Sequence, residues 1–143
     1  MVLVAKDIVE KDFLSLKRDL TAFDAAGMMK LSNQGFAVIL DEKGSPEGIV
    51  TEWDYLAKII GEGRDAMKVT LGEIMSTRLV TVKAEDGLDR VAQVMSEQGV
   101  RRVLVMKDGK VIGVITARTM LKRLKEYVDK ISSQIARLQA PRL

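Results

Sequence analysis

The chain has 143 residues, 47% hydrophobic and 30% charged, with a net charge of +3 and neither cysteine nor histidine. That length and apolar content suit one compact domain or two small halves sharing a core. The missing residue types exclude disulfides, thiol nucleophiles, Cys/His zinc sites and imidazole acid–base catalysis, so no catalytic group, catalytic cofactor or metal is expected.

No apolar run approaches the ~20 residues that span a bilayer. The opening MVLVAKDIVEKD turns acidic and basic directly after four apolar residues, unlike a signal peptide. The expected setting is the cytoplasm, without membrane contact.

In chain order, Leu14–Leu16 reads as a short apolar strand, and Ala22, Ala25, Ala26 and Met29 mark one face of a helix. Gly35 is expected to stop that helix. Strands Phe36–Leu40 and Gly48–Val50 follow, joined by DEKGSPE, and a second helix starts after Thr51. Residues 61–69, with two glycines and mixed charge, read as a linker. The series then recurs. A strand at Val80–Val82 precedes a helix face of Leu88, Val91, Ala92 and Met95, and Gly99 is the expected stop. Strands Val100–Val105 and Val111–Ile115 flank MKDGK, whose Asp108–Gly109 pair is a tight-turn signal. A final helix starts after Thr116.

The recurrence is a duplication. A displacement of 66 residues lays Ala5–Lys17 over Leu71–Lys83, with Ser15 on Thr81 and Leu16 on Val82, and Met29 on Met95. The overlay then assumes two extra residues in the first copy, so that Gly35 matches Gly99 and Ala37 matches Arg101; further on, GIVTEWDYLAKII lies over GVITARTMLKRLK. The expected fold class is α+β, two β-α-β-β-α repeats at 4–60 and 70–125, with a C-terminal helical extension at 126–143.

In that extension Leu121, Leu124, Val128, Ile131, Ile135 and Leu138 alternate spacings of three and four, the period of a coiled-coil seam. The seam needs an apolar partner, either a symmetry mate or its own module, and a homodimer is expected. From Arg118 onward there are seven Lys/Arg against two Asp/Glu. This basic tail reads as a solvated helix face; contact with nucleic acid is the alternative. Trp53 is expected to be partly buried packing, and the methionines core or interface filler.

The most informative string is Gly48-Ile-Val-Thr-Glu-Trp-Asp54. Thr51 falls at a helix N-cap, beside free N–H groups that attract phosphate. Asp54 lies one turn on, and an ionised carboxylate can accept both hydroxyls of a ribose cis-diol. The same Thr-x-x-Asp spacing is also an ordinary capping arrangement.

The duplicated frame, the apolar-Ser/Thr-apolar opening strands and Gly-h-h-Thr-x-x-Asp after the third strand resemble the tandem CBS-domain family, the Bateman module, over about residues 4–125. The resemblance implies two repeats packed about a pseudo-two-fold axis with two clefts between them, taking AMP, ADP, ATP or S-adenosylmethionine as regulatory ligand. It implies a first cleft built on Thr51 and Asp54 with Ile49 and Val50, closed over the base by Val80 and Thr81 from the other repeat. Phosphate would be met by Arg101, Arg102 and Arg118, with only one of Arg101 and Arg102 pointing inward because strand side chains alternate. The second cleft, on Ser15, Val38, Thr116 and Thr119, has a threonine where the carboxylate belongs and Ala37 in place of an arginine, and is expected to be weak or empty. The implied function is a stand-alone sensor that passes a ligand-driven change to an unidentified effector protein. A nucleotide-processing enzyme is the third possibility, for which no nucleophile, base or Walker-type loop is evident.

Overall fold

The computed structural model describes residues 3–139; Met1, Val2 and the last four residues of the expected C-terminal extension lie outside this range. The first half runs α1 (Ala5–Ile8), β1 (Ser15–Leu16), α2 (Ala22–Ser32), β2 (Phe36–Leu40), β3 (Pro46–Thr51) and α3 (Glu52–Tyr55), which continues into a wider π-helical turn, Leu56–Ile60. After a 3-10 turn at Ala66–Lys68 come α4 (Leu71–Ile74), β4 (Thr81–Lys83), α5 (Leu88–Gln98), β5 (Arg102–Lys107), β6 (Lys110–Thr116) and α6 (Ala117–Gln139). Each half forms a three-stranded sheet, β1-β2-β3 and β4-β5-β6, whose first pair is parallel and second antiparallel. The fold is α+β, as the sequence pattern requires.

The two halves keep step more closely than the sequence overlay allowed. α2 and α5 are both 11 residues long. The left-handed residue that ends α2 is Asn33 (φ 54°, ψ 39°), the counterpart of Gly99 (φ 64°, ψ 35°), and not Gly35. Asparagine tolerates this conformation because its short polar side chain offsets part of the Cβ penalty. No two-residue insertion exists there. Ser15 pairs with Val38 as Thr81 pairs with Leu104, and Phe36 faces Thr51 as Arg102 faces Thr116. The counterpart of Arg102 is therefore Phe36, that of Arg101 is Gly35, and Ala37 matches Val103. The same error placed the start of β5 two residues early.

On α2 the buried face is Ala22, Ala25 and Met29, and on α5 it is Val91, Val94 and Met95. Ala26 and Ala92, expected inside, are exposed. Each directly follows a buried residue and so is turned about 100° away from it.

The leading helix of each half packs on the other half's sheet. Ala5 and Ile8 are buried with Val82, Val91 and Ile115 of the second half. Leu71 and Ile74 are buried with Leu16, Ile39 and Val50 of the first. Backbone contacts are reciprocal: Val4 pairs with Gly87 and Thr70 with Thr21, while Glu10 pairs with Val114 and Ser76 with Ile49. Such paired exchange is what a two-fold relation between the halves demands. At about 1.5–3 kcal/mol for each large buried side chain, the crossed helices tie the halves together.

The crossings also explain the glycine that opens each Gly-h-h-Thr motif. A Cβ at Gly113 would stand 2.5 Å from the Glu10 carbonyl oxygen, and one at Gly48 2.9 Å from that of Ser76. A third cluster, Phe36, Val38, Leu104 and Val114 with Phe13 and Leu79, joins the two sheets.

The expected linker ends inside the structure. Val69 is buried in the first core, and its carbonyl accepts from Ala22 N at 2.7 Å. By contrast no residue of α6 is buried, and every member of its apolar row is exposed.

Candidate functional site

Two clefts open between the halves. The first, about 510 Å3, takes Ile49, Thr51, Asp54 and Lys58 from the first half and Ser76, Arg78, Val80, Arg101 and Arg102 from the second. Thr51 is the N-cap of α3, in extended conformation where β3 ends. Its amide donates to Asp54 Oδ2 at 2.8 Å, so Asp54 closes a capping box as well as lining the cleft. Lys58, one turn on, reaches Asp54 Oδ1 at 2.9 Å and the Ile74 carbonyl at 2.7 Å. Asp54 is the one buried charged residue among the described residues, 5% exposed. A carboxylate offers about four acceptor sites, so each oxygen keeps capacity for a further donor beyond the bond it has already made.

Above this mouth, Arg102 lies with its guanidinium carbon 4.9 Å from the centroid of the Phe36 ring and its Nη2 3.2 Å from Glu52 Oε1. Arg101 precedes β5, and its carbonyl accepts from Ala117 N at 2.8 Å. Strand alternation does not apply to a residue outside the strand, so both arginines line the clefts; indeed both border each of them. The expectation that only one could point inward is corrected.

Other candidates fall elsewhere. Val50 is fully buried in the first core, on the face of β3 opposite Ile49. Thr81 is exposed and does not border the cleft, because it points away from the face that carries Val80. Arg118 borders the second cleft, not the first. Trp53, expected to be packing, is 64% exposed on the rim of the first cleft.

Sequence reading missed Lys58, Ser76 and Arg78 in this cleft. The Asp54–Lys58 spacing of four on a helix was a visible signal for the first. Ser76 and Arg78 precede the opening strand and arrive only through the crossed α4. Arg78 Nη2 donates to Gln98 Oε1, which fixes it at the end of α5.

The second cleft is about 650 Å3, bordered by Glu10, Gln34, Phe36, Thr116, Arg118, Thr119 and Lys122 besides the shared arginines. Thr116 caps α6: Thr119 N donates to its Oγ1 at 3.1 Å, and the two hydroxyl oxygens are 3.0 Å apart. Thr119 Oγ1 donates to the Glu10 carboxylate. Ser15 and Val38, expected here, do not border the cleft. Val38 is fully buried between the sheets, and Ser15 is exposed on β1. Ala37, expected to weaken this cleft by standing in for an arginine, is fully buried in the first core, and Arg101 itself borders the cleft.

Behind α3, Tyr55 donates its hydroxyl to the Ala22 carbonyl at 2.7 Å, and burial pushes its phenol up to about 12. Glu73, which accepts from Thr70 N at 2.7 Å, is held below the usual carboxylate range by that bond, with Arg64 a lesser cause.

Two three-stranded halves, each led by a helix that packs on the other's sheet and with two clefts between them, define a paired-repeat fold. A family model for the CBS domain matches residues 5–61 and 71–126, and the chain belongs to the CBS-domain family, as a CBS pair. CBS pairs are regulatory modules. Among curated proteins, the chain is 28% identical over 134 residues to an uncharacterized protein of Methanopyrus kandleri, covering 93% of this chain and 68% of that protein. It is 32% identical over 125 residues to the mitochondrial CBS domain-containing protein CBSX3 of Arabidopsis thaliana, covering 82% of this chain but only 61% of that one. Among solved structures, the CBS domain pair of protein MJ0100, in complex with 5-methylthioadenosine and S-adenosyl-L-methionine, superposes with a TM-score of 0.79 at 27% identity, covering 89% of this chain and 99% of that one. Among the described residues, no helix is long and apolar enough to cross a membrane.

Proposed function

We propose that this CBS pair is a non-enzymatic cytoplasmic sensor that binds an adenosine-bearing ligand (AMP, ADP, ATP or S-adenosylmethionine) between its halves and signals to a partner protein. The observation that carries the reading is the first cleft. Asp54 and Thr51 from one half stand at its mouth, opposite Val80, Arg78, Arg101 and Arg102 from the other. In this arrangement the carboxylate accepts the ribose hydroxyls, the guanidinium groups meet phosphate or carboxylate charge, and Ile49, Leu79 and Val80 offer an apolar slot to the base. The adenosyl ligands of the MJ0100 pair support the ligand class.

A ligand bridging two halves biases their packing by its difference in affinity for the two arrangements. The partner reads that shift. The exposed row on α6 supports assembly as a homodimer. Its first-seam positions are Leu121, Val128 and Ile135 and its second Leu124, Ile131 and Leu138, a largely β-branched/leucine division that favours two parallel strands.

The test is a thermal-shift screen of AMP, ADP, ATP, GTP, S-adenosylmethionine and 5-methylthioadenosine. At ~100-fold over the dissociation constant, binding adds roughly 2.7 kcal/mol, several degrees for a chain of this size. Asp54→Asn retains acceptor oxygen for the cap but lacks the charge, and is expected to lose most of the shift. If no adenosine compound raises the melting point, or Asp54→Asn responds like the unaltered chain, the reading is wrong.

A further inference from the structure

The caps and crossing segments of the two clefts correspond, Thr51 to Thr116 and Ser76 to Glu10, whereas the counterparts of Ile49, Leu79 and Val80 (Val114, Phe13 and Leu14) do not border the second; the acid, too, stands in different places. In the first, Asp54 is the carboxylate, and Ser76 occupies the crossing segment, exchanging backbone hydrogen bonds with Ile49 at 3.0 and 2.9 Å. In the second, Thr119 stands in the position of Asp54. Glu10 stands in that of Ser76, exchanging backbone bonds with Val114 at 2.9 and 2.9 Å. Acid and hydroxyl have traded positions across the mouth.

We propose that Glu10 supplies the diol-accepting carboxylate of the second cleft, so that each cleft of this chain holds one adenosyl ligand and one acid to grip its ribose. The inference rests on the adenosyl-binding reading above and replaces the expectation of a weak or empty second cleft. Thr119 Oγ1 donates to Glu10 Oε1 and so orients the carboxylate, while Oε2 has no hydrogen bond among the described residues. Glu10 is therefore less engaged than Asp54, whose two oxygens already serve the Thr51 amide and the Lys58 ammonium. Its backbone is anchored on β6, two residues from Thr116, which fixes where the side chain emerges. Arg118 and Lys122 border the same cavity and supply cationic partners for phosphate, beside the shared Arg101 and Arg102. A volume of about 650 Å3 is ample for a nucleotide.

The competing account is that Glu10 merely tethers the N-terminal segment to α6. Glu10→Gln separates the two, because the amide oxygen can still accept from Thr119 while the charge is gone. Calorimetric titrations of the full chain with ATP, and in a second arm with S-adenosylmethionine, compare the unaltered chain with Glu10→Gln and Asp54→Asn.

Two binding events per chain are expected for the unaltered protein. Glu10→Gln weakens one of them at least tenfold, and Asp54→Asn weakens the other. In Asp54→Asn the surviving site prefers ATP over 2′-deoxy-ATP by at least tenfold, as diol recognition by Glu10 requires. A single event that Asp54→Asn abolishes and Glu10→Gln leaves untouched overturns this inference while leaving the first-cleft reading intact. No heat from either compound on the unaltered chain overturns both.

Discussion

Phe36 and Arg102 hold the same place in the two repeats, each directly opposite the capping threonine of its own half, and in the folded chain they touch, ring centroid to guanidinium carbon 4.9 Å. Two symmetry-related positions can meet only at the axis that relates them. The pseudo-two-fold axis therefore passes between these side chains, with a cleft on either side. One repeat contributes a π face and the other a cation, which makes the axis itself asymmetric and places Arg102 on the border of both cavities.

Arg102→Ala is accordingly expected to act on both clefts at once. Removing the stacked cation and the Glu52 ion pair costs about 0.5–2 kcal/mol of stability, while ligand affinity falls at least tenfold wherever an anionic ligand binds. Arg102→Lys keeps the charge but not the planar stack, and should recover only part of the affinity. Denaturant titration and calorimetry measure the two effects separately.

The glycines at the crossings give a contrast in stability alone. Gly113→Ala forces a methyl against the Glu10 carbonyl and the Val9 side chain, and is expected to cost roughly 1–3 kcal/mol. At Gly27, inside α2, an added Cβ would meet nothing within 4 Å. Gly27→Ala should therefore raise stability by about 0.5–1 kcal/mol through helix propensity. Urea midpoints of the two variants should move in opposite directions.

Along α6, Val128→Glu puts a charge in the middle of the exposed apolar seam without touching either core. Light scattering should show a dimer for the unaltered chain and a monomer for the variant, with the response to ligand retained in both. A monomer in each case removes the coiled-coil assignment.

Tyr55 sets the alkaline limit of one contribution to folding. Burial favours its neutral form, so its folded pKa of about 12 lies above the unfolded value of 10.0. The resulting stabilisation is complete below pH ~10 and is lost as pH rises through about 12. Tyr55→Phe should show a shallower fall of stability over that window, measured by urea unfolding at stepped pH. An unchanged slope would refute the assignment.

Much of this molecule was legible in the residues because the signals are local. Helix faces, the Asp108–Gly109 turn and the Thr51 cap depend on neighbours within a few positions, and the duplication is visible wherever both copies kept the same residue type. The overlay failed where the types differ. Matching glycine to glycine joined Gly35 to Gly99, although Asn33 fills that left-handed position, and the error displaced the counterparts of Arg101 and Arg102. The cleft was legible in part for the same reason: Thr51 and Asp54 share one turn of helix, whereas Ser76 and Arg78 reach them across the fold.

Local pattern along the chain is enough to place two β-α-β-β-α units, a carboxylate and a threonine together at a helix start, and an apolar seam on the last helix. Each of these is fixed by periodicity and capping within about one element. Folding is what carries α1 and α4 onto each other's sheets, brings Arg102 against Phe36 on the axis, and sets Glu10 beside Thr119 from 109 positions away. Those pairings depend on how two halves bury their apolar faces against each other, and burial between distant segments leaves no periodic mark along the chain.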